Sequence, residues 1–252
     1  MNLFRTVIRP YLNVQYHIHK ILGIGAFGRN QAVYVDPSSE NKETGSLKNA
    51  LFKHHIKQYH EASCSVASVV NVINALHDYT QRMNGTPISQ MDILEKVRTA
   101  NWKERMSKGG DNGKRGLPLF MLGDVVKSSL DAYQIPYQSI ETVQTLKDPG
   151  KAGALKKQLF DRLCEFDPNE KALIIAHFNQ GIFVKALHIP HISPVGGFNM
   201  TTGTVTMLDV HFLQEKPYQI PFDTFYAGLS CDYNLMFRSF GYGSGGYVYI
   251  RL

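Results

Sequence analysis

Residues 58–64 read Gln58-Tyr59-His60-Glu61-Ala62-Ser63-Cys64, and the apolar run Ser65-Val66-Ala67-Ser68-Val69-Val70-Asn71-Val72-Ile73-Asn74-Ala75-Leu76 follows at once. This places a cysteine in the first turn of a helix, with the amide of Gln58 six residues upstream. Backbone N–H groups without partners at a helix N-terminus, together with the positive end of the helix dipole, favour a thiolate over a thiol. The thiolate is the form that attacks a carbonyl.

A nucleophilic thiol needs a base that holds and later delivers a proton, and the base needs an acceptor that orients it. Ten histidines are available, so position must discriminate among them. His191-Ile192-Ser193-Pro194-Val195-Gly196-Gly197-Phe198 puts a histidine at the start of a strand that runs into a Gly-Gly turn. The next strand ends at Asp209, eighteen residues on, and adjacent antiparallel strands would set His191 beside Asp209. A cysteine on a helix N-terminus facing His and Asp on a sheet is the papain-type arrangement for thiol catalysis. Gln58 would then donate to the oxyanion formed on attack, a role worth roughly 3–4 kcal/mol in such sites. Taken singly, each residue has a structural reading: a buried small hydrophobe for Cys64, a satisfied histidine for His191, a strand-end turn residue for Asp209. The order Gln, Cys, His, Asp on suitable elements carries the joint reading.

The elements that must hold these groups follow from periodicity. Val66, Val69, Val70 and Ile73 recur at helical spacing, which predicts a helix with one buried face, N-capped by Ser63. Further helices are expected over residues 88–99, capped by Ser89, over 119–133, and over 155–166, ending before Pro168. Residues 36–48 are polar and turn-rich, Met83-Asn84-Gly85-Thr86-Pro87 reads as a turn, and residues 106–116 read as a mobile loop. Strands are expected at 172–176, 182–186, 205–210 and 247–250, with a hairpin-like turn at 241–246 before the last. No helix follows that glycine-rich turn, so it is not a phosphate loop. Helices first and strands after predict an α+β fold, an antiparallel sheet packed on a helical half.

The chain has 252 residues, 43% of them apolar and 19% charged, enough to bury a sizeable core in one domain. Residues 1–44 read as an N-terminal extension and lead-in packed on the domain, and 45–252 as the catalytic domain. Cys64, Cys164 and Cys231 are an odd, widely spaced set, a poor disulfide framework that points to a reducing, cytoplasmic setting. The net charge of +6 comes from scattered Lys and Arg residues, without the basic blocks or interleaved aromatics of a nucleic-acid surface. No apolar run reaches the ~18 residues of a membrane span, and no cleavage-site pattern follows residues 11–27. Neither nucleic acid nor membrane is therefore expected as a partner, and the oligomeric state is left open.

The stretch Gln58, Glu61, Cys64, Ala67, Ser68, Asn74, Ala75 and Leu76 resembles, in register, the nucleophile signature of the phytochelatin synthases. These are papain-like glutathione γ-glutamylcysteinyltransferases. Residues 191–198 are similar to the family's His-Phe-Ser-Pro-Ile-Gly-Gly-Tyr, Leu208-Asp209-Val210 to its Leu-Asp-Val, and Gly181-Ile182-Phe183 to its Gly-Val-Phe. The resemblance covers roughly residues 45–250 and is weak from 85 to 169. It implies a papain-like fold, with Cys64 as nucleophile, His191 as general base and acid, Asp209 as orienting acceptor and Gln58 as oxyanion donor. It also implies glutathione or a similar small thiol peptide as substrate. Cys64 would attack the Cys–Gly amide, release glycine and hold a γ-glutamylcysteinyl thioester that passes to water or to a second thiol peptide. It implies no resident cofactor and no protein metal site. A heavy-metal ion such as Cd or Zn would enter as a thiolate complex of the substrate, in keeping with heavy-metal detoxification.

Departures from the family pattern bear on the acceptor. Ser65 stands for the glycine after the nucleophile and Ala62 for the proline before it, and Leu187-His188-Ile189-Pro190 replaces a Gly-Thr-Gly approach to the histidine. The basic residue after Asp-Val gives way to His211-Phe212-Leu213, and the arginine before the final strand to Ser244-Gly245. Those cations suit substrate carboxylates; Arg238 or Arg251 could stand in for them. Fewer cations weaken binding of a second anionic peptide, which predicts mainly hydrolysis of glutathione. Two rivals remain. One is a papain-like protease or deamidase acting on a protein partner. The other is a metal-binding module built on His54, His55 and His60 or on His177, His188 and His191.

Overall fold

The apolar spacings assemble into helices laid against one antiparallel sheet, an α+β arrangement, in a computed structural model. It describes residues 10–11, 14, 17–18, 21, 31–36, 46–80, 86–184, 189–233, 237–238 and 240–252. In chain order the elements are β1 (Val33–Tyr34), α1 (Leu47–Lys53), α2 (Cys64–Tyr79), α3 (Gln90–Lys96), then a 3-10 turn (Thr99–Asn101) running into α4 (Trp102–Arg105). There follow α5 (Leu119–Ala132), β2 (Ser139–Gln144), α6 (Pro149–Asn169), β3 (Ala172–Asn179), α7 (Gln180–Phe183) and β4 (Pro190–Asn199). The chain closes with β5 (Thr204–Met207), β6 (Tyr218–Pro221), α8 (Phe222–Leu229) and β7 (Gly246–Arg251). The seven strands lie in the order β1-β6-β5-β4-β3-β7-β2, with every neighbouring pair antiparallel.

Helix α2 departs from its expected single buried face: every residue from Cys64 to Leu76 is buried. The reason is that its polar positions find partners inside the protein. Ser65 Oγ accepts from Trp102 Nε1 (3.0 Å), Ser68 Oγ donates to the carbonyls of Cys64 (2.8 Å) and Ile192 (3.0 Å), and Asn71 Nδ2 donates to Leu51 O (2.9 Å). Asn74 clasps both backbone groups of Ile88, at 2.9 Å each. A satisfied polar group costs little to bury, so a face that would otherwise need water is tied to four different parts of the chain. The Ser68 bond is the one that seats the start of α2 against β4.

Ser89 forms the expected cap of α3, completed as a capping box by Asp92, but the helix stops at Lys96. Helix α6 starts at Pro149, with Asp148 as its N-cap, and runs to Asn169, through Pro168, where it had been expected to stop. A proline in the last turn removes only one helical N–H, and the helix ends at Glu170 in the left-handed region. Of the strand expected at 182–186, Ile182 and Phe183 instead close the single turn α7, initiated by the Asn179 side chain accepting from Gly181 N (3.1 Å), and residues 185–186 lie outside the described residues. Gly196-Gly197 is not a turn. It lies inside β4, at the register shift between Val195 and Gly197 opposite β5, and a Cβ on Gly196 would stand 2.8 Å from the Leu208 side chain. The hairpin turn comes later, after Asn199, whose side chain accepts from Thr201 N and Thr202 N.

The segment 106–116 is more structured than a mobile loop: Asp111 and Lys114 pair across a tight turn, and Arg105 Nη1 donates to Gly116 O (3.2 Å). Of the lead-in, β1 pairs with Tyr218 and Gln219 of β6. Of the apolar stretch expected to pack on the domain, the described residues Tyr11, Val14, Ile18 and Ile21 are exposed. The turn at 83–87 and His188 fall wholly or partly outside the described residues.

Candidate active site

The segment before α2 folds back on itself. Ser63, expected to cap the helix, makes no side-chain cap. Its Oγ donates to His60 O (2.9 Å) and accepts from His60 N (3.0 Å), closing a turn over residues 60–63. No side chain therefore occupies the N-terminal N–H groups of α2 at the position where Cys64 begins it. Gln58 is buried, and its backbone N–H reaches Val210 O (2.8 Å), which ties this segment to the chain just beyond β5. Its side-chain Nε2 donates one hydrogen to His60 O (3.0 Å), while Oε1 is buried without a partner.

His191 is the second residue of β4, paired with Phe178 of β3, and Asp209 lies two residues past the end of β5. Both are buried, and His191 Nε2 stands 2.8 Å from Asp209 Oδ1. That bond leaves Nδ1 free of Asp209, and the Cys64 side chain lies near enough to the ring to act on its titration. Burial by itself pushes the imidazole down; the charge and hydrogen bond of Asp209, and the Cys64 sulfur, override it and raise the group to about 10. Asp209 moves the opposite way. Burial would raise its carboxyl, but the imidazolium of His191 and the N–H and O–H groups around it hold it well below the usual carboxylate range.

Those donors are numerous. Oδ1 also accepts from His211 N (2.8 Å), and Oδ2 accepts from Tyr218 Oη (2.7 Å) and Gln180 Nε2 (3.4 Å). The backbone carbonyl of Asp209 receives Lys57 Nζ (2.9 Å) and faces His55 Nε2 (3.0 Å). Tyr218 is itself buried, which with the Asp209 charge raises its phenol well above the ordinary value, so it stays a donor. Tyr218 and Gln180 escaped the sequence reading because nothing in their spacing marks them; they act from β6 and α7, whose places in the sheet had to be known first.

A second aromatic group lines the nucleophile. Tyr233 Oη lies 3.0 Å from His177 Nδ1, and His177 packs between Tyr233 and Tyr242 with ring centroids 5.6 Å from each. Both phenols are raised, first by burial and also by the Cys64 charge, so they remain neutral beside the sulfur. Burial lowers His177 to about 4 and keeps it neutral. Gly245 has no room for a side chain: a Cβ would meet Leu229 O at 2.4 Å and His177 O at 2.6 Å. Any side chain at Gly245 would need the backbone to move.

The remaining expected residues stand elsewhere. Arg238 is exposed and its Nε donates to Tyr233 O (2.9 Å); Arg251 pairs with Glu165 (3.6 Å) at the end of β7. The histidines considered as ligands have separate partners: His54 meets Asp78 (3.0 Å), His55 the Asp209 carbonyl and His60 the Met106 carbonyl (2.6 Å). Among the described residues no group of three or more His, Cys, Asp or Glu side chains converges as metal ligands, and no helix is long and apolar enough to cross a membrane. Cys64, Cys164 and Cys231 are all free, and burial raises Cys231 to about 11, which keeps it a thiol.

No curated protein sequence matches the chain. A family profile described as phytochelatin synthase matches residues 37–233, a span that holds the buried Cys64, His191 and Asp209 and most of the sheet, and the chain belongs to the phytochelatin synthase family.

Proposed function

We propose that the protein is a papain-like thiol acyltransferase acting on glutathione, with Cys64 as nucleophile. Membership of the family points to glutathione-related γ-glutamylcysteine transfer. The observation that carries the mechanism is the buried His191–Asp209 pair at 2.8 Å, with the buried Cys64 near enough to act on the titration of the ring. A raised imidazole beside the sulfur favours the thiolate–imidazolium form of the pair. The thiolate attacks the carbonyl carbon of the Cys–Gly amide. The second N–H of Gln58 Nε2 and the free N–H groups at the start of α2 receive the oxyanion. As the tetrahedral intermediate collapses, the C–N bond breaks, His191 gives its proton to the departing glycine amine, and the γ-glutamylcysteinyl thioester is left on Cys64. A water or the free amine of a second peptide then attacks the thioester with His191 as base, the C–S bond breaks, Cys64 leaves as the thiolate, and Asp209 holds the ring throughout.

Water is the acceptor we favour. The closed space at Gly245 and the engagement of Arg238 and Arg251 leave little cationic surface for a second anionic peptide. Incubation with glutathione and cadmium, followed by mass spectrometry, is expected to yield glycine and γ-glutamylcysteine, with a γ-glutamylcysteinyl adduct on Cys64 in a quenched sample. Dominance of longer γ-glutamylcysteine oligomers would overturn the hydrolytic assignment, and turnover by Cys64→Ala would overturn the nucleophile.

A further inference from the structure

The segment 106–116 is tied at one end to the turn before Cys64 and at the other to Tyr242. At one end the Met106 carbonyl is held by His60 Nε2 (2.6 Å), in the turn that leads into Cys64, and Trp102 just before it donates to Ser65 (3.0 Å). At the other end Gly116, in the left-handed region at φ 73°, lies against Tyr242: a Cβ there would stand 2.1 Å from the phenol oxygen. Tyr242 packs on His177, in the aromatic group beside Cys64. Both ends of the segment are thus fixed to the walls of the site.

Two arginines lie in or next to this segment, and they differ. Arg105 is buried and occupied: Nε donates to Ala100 O (3.2 Å), Nη1 to Gly116 O (3.2 Å), and Asp111 stands 3.9 Å away. Arg115 is half-buried, its Nε is buried without a hydrogen-bond partner, and among the described residues no carboxylate lies within ion-pair distance. A buried donor of a charged group left unpaired is costly and uncommon. Its charge is also felt in the site. Burial lowers the His60 imidazole, and Arg115 lowers it further.

We propose that Arg115 receives a carboxylate of the peptide substrate, pairing with it through its planar fork of N–H groups. This rests on the acyl-transfer reading above and adds to it the cation that Arg238 and Arg251 do not supply. Glutathione carries two carboxylates, one on glycine and one on the γ-glutamyl group, and the fork takes one of them.

The test is steady-state glycine or amine release by wild type, Arg115→Gln and Arg115→Lys. The substrates are glutathione, its glycinamide form, and an analogue with γ-aminobutyrate in place of γ-glutamate. For glutathione, Arg115→Gln is expected to raise KM about 10- to 100-fold with kcat little changed, and Arg115→Lys to recover part of the loss. The analogue that lacks the engaged carboxylate is expected to bind wild type and Arg115→Gln equally. An unchanged KM in Arg115→Gln, or an equal penalty from the substitution on all three substrates, overturns the proposal. Wild type that releases no glycine overturns the acyl-transfer reading and this one with it. Active wild type with an indifferent Arg115→Gln overturns this one alone. Should Arg115→Gln fail to fold, judged by circular dichroism, Arg115→Lys across the same substrates decides the question.

Discussion

The two halves of the site are built in opposite ways. Around Asp209, both carboxylate oxygens and the backbone carbonyl are met by named donors from β4, β6, α7 and the segment before α2. Around Cys64, the helix start is uncapped, Gln58 keeps one amide hydrogen and an unpaired oxygen, and Arg115 keeps an unpaired nitrogen. A saturated network fixes one geometry and tolerates no intruder; an unsaturated one waits for the groups a substrate brings. Preorganised base on one side and open acceptor and donor sites on the other are what a nucleophilic enzyme needs.

This contrast sets an order of effects. Cys64→Ala is expected to lower glycine release by at least about 10⁴-fold and to abolish the acyl adduct, with the circular dichroism spectrum unchanged, because bond making ends while the sheet is untouched. Asp209→Asn should reduce kcat by about 10²–10⁴-fold, since the amide no longer holds the imidazolium. The sign of the pH effect follows from the raised His191. Its pairing with Asp209 stabilises the fold fully below an unfolded histidine value of about 6.5, and that stability is lost as pH rises through about 10. Wild-type Tm should therefore fall between pH 7 and 10 more than that of Asp209→Asn, and a parallel fall in the two proteins would count against the ion pair.

Tyr218→Phe removes one hydrogen bond from the buried carboxylate without changing the ring. It should cost about 1.5–3 kcal/mol of stability and roughly tenfold in kcat, with KM unchanged. The smallest effect on rate belongs to Ser65→Ala. It strands the buried Trp102 N–H and should destabilise by about 1–3 kcal/mol in chemical denaturation while kcat changes little. A loss of kcat larger than that of Tyr218→Phe would mean that the nucleophile side is as tightly specified as the Asp209 side.

Much of the architecture was legible from local pattern alone. Helix α5, the Ser89 cap of α3 and the apolar strands β3 and β7 follow from periodicity and caps, and the eighteen-residue offset between His191 and Asp209 does place the two side chains in contact. What failed were inferences that needed a distant partner. Ser65, Ser68, Asn71 and Asn74 look like a solvated face until Trp102, Ile192, Leu51 and Ile88 arrive to satisfy them. Ser63 was read as a cap, but the nearer groups of His60 took its hydroxyl. Gly196-Gly197 was read as a turn because glycine is common there, whereas close approach of Leu208 is what requires a small residue. Tyr218, Gln180 and Arg115 carry no local signal, since their meaning comes from what the sheet and the segment after Trp102 bring beside them.

The short strand β1 has a practical consequence for anyone trimming the chain. The family profile begins at residue 37, just after Val33 and Tyr34 have paired with β6 and the Tyr34 ring has met Tyr218 edge-on at 6.1 Å. A protein started at that boundary would leave β6 as an open edge, with its backbone N–H and C=O groups free to recruit a strand from another molecule. It would also bare the phenol that steadies Asp209. Self-association and a loosened Asp209 would then arrive together, from the loss of one short strand.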